Sequence, residues 1–257
     1  MIKMQFETAY ASHIGGRDEQ QDRAEIFISR NNNSHLLVVA DGMGGHQGGS
    51  LAAQAVIQTA ASLCKTYQDN SIRPEQFLEQ LCFQGHNAVN RIGREQNLNP
   101  YTTIVALFLK GRKAHWVHIG DSRFYHFRQN KMLYKTSDHS AVQVLVDMGE
   151  ITEAEMAHHP VQNRLTRCIG GDKTPDPMLD SATVKRGDGF LLCTDGVWET
   201  VAEEEMAEAL SSADFTQKAS ALVEKAAQRG GEMGDNATVA IARCTGRRFW
   251  IPFLSRA

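Results

Sequence analysis

"LLVVADGMGGHQGG", residues 36–49, runs from an apolar stretch into one aspartate and then into five glycines among eight residues. Taken alone, Asp-Gly after a strand is turn chemistry, because the carboxylate caps nearby backbone and glycine accepts positive φ. The reading changes because the pattern returns. "FLLCTDGVWE" (190–199) is a second apolar strand ending in Asp-Gly, and "HWVHIGDSRFY" (115–125) places Asp121 straight after a third. "GEMGDNATVAIAR" (231–243) sets Asp235 just before a fourth.

Upstream, "RDEQQDRAEIFISRNNNSHLLVVADG" (17–42) reads as strand, turn, strand, with Asn31, Asn32 and Asn33 in the turn. Pairing Ser29 with Ser34 puts Asp22 opposite Asp41 at the open end of this hairpin. In an antiparallel sheet the start of one strand adjoins the end of its neighbour. Asp22 and Asp235 precede strands, whereas Asp41, Asp121 and Asp195 follow them, so all five are expected on one edge. Like charges within about 4–6 Å raise one another's pKa strongly, and a divalent cation resolves the conflict. An all-oxygen set without His or Cys pairs points to Mg²⁺ or Mn²⁺ rather than Zn²⁺. Glycine after Asp41 and Asp195 lets backbone approach closely, and the Gly42 carbonyl is itself a candidate ligand.

The rest of the chain is compatible with one large domain. It has 257 residues, 42% of them hydrophobic, with no linker, low-complexity tract or repeat. A net charge of -3 argues against the basic footprint of a nucleic-acid binder. The N-terminal "MIKMQFETAY" lacks the apolar core of a signal peptide, and runs such as "IVALFL" are far short of a membrane span. Five cysteines without CxxC spacing suit a reduced, cytoplasmic chain. The tail "TGRRFWIPFLSRA" sets Phe249, Trp250, Ile251, Phe253 and Leu254 after a basic pair and reads as a terminal strip packed on its own domain, with a partner or membrane-surface contact as the alternative.

Alternating or apolar runs predict strands near 5–11, 24–29, 35–40, 102–109, 114–119, 123–128, 131–135, 178–185, 189–194 and 237–244. Helical periodicity predicts helices over 49–67 and 73–96, the second with Pro74 in its first turn. Capping boxes are expected at Thr152 with Glu155 and at Thr200 with Glu203. Runs of strands broken by paired helices indicate an α+β fold of antiparallel sheets covered by helices.

Eight segments, in order, carry a resemblance: "RDEQQD", "VVADGMGGHQGG", "YTTIVALF", "VHIGDSRFYHF", "TSDHSAVQVLVDMGEIT", "HHPVQNRLTRCIGG", "GDGFLLCTDGVWE" and "GDNATVAIA". The chain resembles the bacterial metal-dependent serine/threonine protein phosphatases of type 2C, from about residue 5 to 244. The resemblance implies a β-sandwich of two mainly antiparallel sheets flanked by helices, in αββα layers, with the metal site at one end. It implies one domain over 1–244, a flap over about 147–170 and a short basic and aromatic tail over 245–257.

Residue by residue, the resemblance implies that Asp41 bridges two ions with the Gly42 carbonyl on one of them. Asp195 and Asp235 complete the other, and Asp22 acts on the water they hold. Arg17 holds the substrate phosphate, for which a guanidinium fork is suited. His46 is the implied general acid for the leaving group. Asp121, with Asp195, is implied to hold a third, weaker ion; the alternative is that Asp121 caps its turn and pairs with Arg123. His158 and His159 read as structural. Gln20 stands where the family often has Asn, and Tyr101 where a small residue is common, which is expected to alter the wall of the site.

The implied reaction is hydrolysis of phosphoserine or phosphothreonine in proteins, opposing a bacterial Ser/Thr kinase, by a monomer that binds no nucleic acid and has no transmembrane segment. Two rivals are a pseudophosphatase that binds phosphoproteins without turnover and a hydrolase of small phosphoesters. The intact aspartates argue against the first. The lack of a GxxxxGK[ST] loop argues against nucleotide chemistry.

Overall fold

The computed structural model describes residues 4–30, 34–44, 48–67 and 72–246. The Asn31–Asn33 turn, His46 and the aromatic tail lie outside the described residues. In chain order the elements are β1 Gln5–His13, β2 Arg23–Ile28, β3 Ser34–Ala40, β4 Gly42–Met43, α1 Gly48–Thr66, α2 Pro74–Gln96, β5 Tyr101–Thr102 and β6 Ile104–Lys110. They continue with β7 Lys113–Ile119, β8 Arg123–Arg128, β9 Lys131–Lys135, α3 Ala141–Asp147, a 3₁₀ turn at Glu153–His158 and β10 Met178–Thr183. The last are β11 Asp188–Cys193, α4 Asp195–Trp198, α5 Glu203–Ser211, α6 Phe215–Gly230 and β12 Ala237–Thr245.

Two antiparallel five-stranded sheets form, ordered β1-β12-β11-β8-β9 and β10-β7-β6-β3-β2. β3 shows why its run is apolar throughout. Successive side chains point to opposite faces, and both faces are covered. Leu37 and Val39 meet Phe190, Leu192 and Ala240 of the other sheet, in a core that also holds Trp116 and Phe124. Leu36, Val38 and Ala40 face α1 and α2, against Val56, Leu78 and Leu81. On the outside of the first sheet, Leu191 and Ile241 pack against Met206, Leu222 and Val223 of α5 and α6. The result is the αββα layering expected from the resemblance.

Register also agrees with the hairpin reading. Arg23 pairs with Ala40 and Ile28 with His35, and the Ser29 amide donates to the Ser34 carbonyl at 3.0 Å. Asp22 and Asp41 therefore sit just beyond the last pair. The β8–β9 turn puts Gln129 and Asn130 at φ 51° and 61°, the left-handed conformation that a two-residue hairpin needs.

Two local expectations fail. The strand expected over 102–109 divides at Thr103, because β5 leaves the large sheet and pairs with β4, Thr102 opposite Gly42. The Thr200–Glu203 box does not form: Thr200 Oγ1 donates to the Gly196 carbonyl, and Glu205 instead caps the Ala202 amide, starting α5 later. The Thr152–Glu155 box does form, at the head of the 3₁₀ turn.

Candidate active site

All five aspartates reach the same end of the sandwich. Cys193 at the end of β11 pairs with Val239 of β12 and with Arg123 of β8, so Asp195 lies beside the segments carrying Asp235 and Asp121. A cleft of about 430 Å³ opens there, lined by Arg17, Asp41, Gly42, Asp121, Asp195 and Asp235 among others. Asp22 does not line it. It is buried behind, where the Thr194 hydroxyl donates to its carboxylate at 2.8 Å.

The glycines after Asp41 and Asp195 serve backbone packing. A Cβ on Gly42 would stand 2.1 Å from the Gly49 carbonyl oxygen, and one on Gly196 would stand 2.2 Å from that of Asn236. No side chain fits at either place. The Asp41-Gly42 pair thus locks a strand end against the first turn of α1, and Asp195-Gly196 locks one against the segment before β12, while the carboxylates face the cleft.

The carboxylates act on one another. Burial, then the charges of Asp22, Asp195, Asp121 and Asp235, push Asp41 well above the ordinary carboxylate range. Burial and Asp235 push Asp195 to about 7, against the Gly196 amide and Arg17. Asp22 rises to about 7, mostly through burial, and Asp121 rises through burial and Asp195. Arg17 ion-pairs with Asp235 at 2.7 Å and is itself raised by that bond. Its guanidinium therefore stands at the mouth of the cleft, on a predicted metal ligand.

Several contributors escaped the sequence reading. Glu199, one helical turn after Asp195, is raised to about 8 by burial, Asp195 and Asp235; the i, i+4 spacing in "TDGVWE" was the available signal. Asn236 accepts from the Gln21 amide at 2.7 Å and donates to the Ile14 and Glu19 carbonyls, which shapes the loop bearing Arg17. Gln20 caps the Asp22 amide at 2.9 Å. Arg123 does not pair with Asp121. It grips Asp138 with two 2.8 Å bonds and lies 3.6 Å from the centre of the Trp198 ring, whose Nε1 donates to the Asp121 carbonyl.

Asn163 and Leu165 wall the cleft from the segment after the 3₁₀ turn, which Arg123 and Lys135 tie down through Glu153. Tyr101 lies off this cleft. It lines an adjoining groove of about 570 Å³ with Arg167 and Lys173, and Leu165 borders both.

Among the described residues no three or more His, Cys, Asp or Glu side chains are gathered to hold a metal ion by themselves. A hard cation that keeps several waters needs only one or two carboxylates, and the donor set here is oxygen throughout. Partly exposed, mutually repelling carboxylates with raised pKa around an open cleft fit such ions.

The protein phosphatase 2C family model matches residues 11–233. The serine/threonine protein phosphatase PstP of Mycobacterium tuberculosis is 35% identical over 211 residues, which are 81% of this chain and 40% of that protein. This chain thus spans less than half the length of that relative. The serine/threonine phosphatase stp of Listeria monocytogenes is 30% identical over 230 residues, covering 87% of this chain and 89% of its own. Among solved structures, the catalytic domain of PstP in complex with two manganese ions superposes with a TM-score of 0.79 at 31% identity, over 94% of this chain and 99% of that one.

Proposed function

This chain belongs to the protein phosphatase 2C family, and from that membership we propose that it hydrolyses phosphoserine and phosphothreonine esters in proteins. The observation that carries the reading is the convergence of five carboxylates at one end of the sandwich, four of them lining the cleft and Asp22 behind it, with Asp22, Asp41, Asp121 and Asp195 raised by burial and mutual charge. The proposed cofactors are two Mn²⁺ or Mg²⁺ ions, with Asp41 and the Gly42 carbonyl, Asp195 and Asp235 as ligands and Asp22 behind them. A third, weaker ion is assigned to Asp121 with Asp195.

When bound, such ions supply Lewis-acid activation of water and neutralise charge on the phosphoryl group. The chain's own residues do the rest. Arg17 at the cleft mouth binds phosphoryl oxygens with its fork of donors. Asp22, held by the Thr194 hydroxyl behind the cleft, is assigned by the resemblance to act on the attacking water. His46, outside the described residues, is assigned by the resemblance to protonate the serine or threonine leaving oxygen. If so, His46→Ala slows phosphoserine peptides far more than an aryl phosphate, whose phenolate leaves unaided; equal losses would remove that role. The segment 147–170, which brings Asn163 and Leu165 to the cleft, is proposed as a flap contributing to substrate choice within a single domain over 1–244. A Ser/Thr kinase acting on the same proteins is the proposed counterpart, and the chain is proposed to act as a cytoplasmic monomer. Among the described residues no helix is long and apolar enough to cross a membrane.

The test is turnover by the purified chain, with Mn²⁺ and after chelation, of phosphopeptides, nucleotides and aryl phosphates. Mn²⁺-dependent release from phosphopeptides but not nucleotides is expected. Binding without release would make it a pseudophosphatase; preference for nucleotides would make it a small-phosphoester hydrolase.

A further inference from the structure

The two threonines of "YTTIVALF" are fully buried, as is Ser122, yet none of them lines the cleft. Their polar atoms meet the backbone around the aspartates instead. The Asp41 carbonyl receives two bonds, from Thr102 Oγ1 at 2.7 Å and from the Thr103 amide at 2.8 Å. The Asp41 amide donates to Thr103 Oγ1 at 3.0 Å. That same hydroxyl lies 2.7 Å from Ser122 Oγ, in a wholly buried contact. Gly120, at φ 108°, presses on Thr103 so closely that a Cβ there would stand 2.6 Å from its methyl carbon. One hydroxyl therefore touches the backbone of Asp41 and the side chain next to Asp121, at the point where the chain crosses from β7 to β8.

We infer that Thr103 and Ser122 are positioning residues that hold Asp41 and Asp121 at a set separation and thereby set the cation affinity of the cleft. This rests on the metal-dependent reading above and goes beyond its ligand set. The chemistry of the contact supports it. Thr103 Oγ1 accepts from the Asp41 amide, which leaves its own proton or a second lone pair for Ser122. Deleting the hydroxyl strands a buried amide and a buried hydroxyl together, so the loop ends must shift to find new partners. Asp41 is bonded through both its amide and its carbonyl, so a shift of Thr103 moves the carboxylate with it. Partners that orient metal ligands typically change affinity by about 10–100-fold when removed.

The experiment compares Mn²⁺ titration by calorimetry with thermal unfolding of the metal-free chain, for the parent, Thr103→Val, Thr103→Ser and Ser122→Ala. Valine keeps the shape of threonine without its hydroxyl, and serine keeps the hydroxyl without the methyl. Thr103→Val is expected to weaken Mn²⁺ binding by about 10-fold or more, Thr103→Ser to bind as the parent does, and Ser122→Ala to weaken binding in the same direction. Parent-like affinity in Thr103→Val, with only a lower unfolding temperature, would overturn the inference by making the hydroxyl a fold element. So would a loss in Thr103→Ser equal to that in Thr103→Val, which would assign the effect to methyl packing. If Thr103→Val does not fold, Ser122→Ala decides: weakened binding supports the inference and unchanged binding overturns it. A parent chain that binds no Mn²⁺ would overturn the metal reading itself, before any variant is compared.

Discussion

The strand β11 has a carboxylate at each end, and the two are opposites. Asp188, at its start, is fully buried between Arg128, which reaches it at 2.6 and 2.9 Å, and His126 Nε2 at 3.1 Å. Burial pushes its pKa up, but Arg128, His126 and the Lys185 amide outweigh that and hold it at about 2. Asp195, just past the other end, faces Asp235 and is pushed to about 7. A buried carboxylate surrounded by the protein's own donors is complete within the fold. One surrounded by other carboxylates carries a charge the fold has not balanced, and that imbalance is what marks a place for a cation from outside.

The largest expected effect lies at the unbalanced end. Asp41→Asn or Asp195→Asn should lower phosphopeptide turnover by more than about 100-fold, beyond the loss seen when only a partner of a ligand is removed. Both should remain folded by circular dichroism, because each removes a repelling charge rather than a core side chain. Full turnover at saturating Mn²⁺, with metal content unchanged, would break the comparison.

At the balanced end the outcome reverses. Asp188→Asn should lower stability by about 3 kcal/mol in denaturant unfolding, the low end for breaking a buried pair because Arg128 is partly exposed. Mn²⁺ affinity should not change. A variant as stable as the parent would mean that the Arg128 and His126 contacts contribute nothing.

Stability against pH separates the two ends without mutation. Asp22 and Asp195 have folded pKa values near 7, above the usual carboxylate value of 3.8. Groups raised in this way favour the folded state at low pH, and that contribution is lost as pH rises through about 7. Buried histidines held below their usual value, His118 and His139 among them, work the opposite way over the same range, so the carboxylates are read by difference: saturating Mn²⁺ should raise the melting temperature more at pH 8 than at pH 5.5. Asp188, held down at about 2, works the other way: its contribution is present above about pH 4 and fades only as pH falls towards 2. A Mn²⁺-induced rise in melting temperature no larger at pH 8 than at pH 5.5 would show that the cleft carboxylates are not strained.

The smallest effect belongs to Asp121, the cleft aspartate assigned to the weak third ion. Asp121→Asn should lose one weak Mn²⁺ binding step and some turnover while the two tight steps persist. Three unchanged steps would return Asp121 to a purely structural role.

Much of this was legible in the chain. The hairpin register followed from Ser29 and Ser34, and the convergence of strand-end aspartates followed from antiparallel geometry, since both depend on neighbours in sequence or on period-two alternation. Less legible were the partners chosen across long separations. Nothing local to Arg123 says that it takes Asp138 rather than Asp121, and nothing local to Asn236 says that it braces the loop of Arg17. Thr200 shows the limit at short range as well. Its spacing to Glu203 fits a cap, but α4 ends there and its hydroxyl goes back to Gly196.

What the sequence determined by itself was which residue types stand at strand ends: Asp22, Asp41, Asp121, Asp195 and Asp235, each bordering an apolar run that had to be buried. Hydrophobic burial fixes where those runs go, so the aspartates are carried to one edge regardless of detail. Only the tertiary structure decided how each charge is answered. Arg128 and His126 close on Asp188, Arg17 closes on Asp235, and Thr103 bonds to Asp41 and Ser122 at once. The reason is distance: polar pairing is settled within about 3 Å, and no pattern of spacing along the chain specifies which side chains come that near.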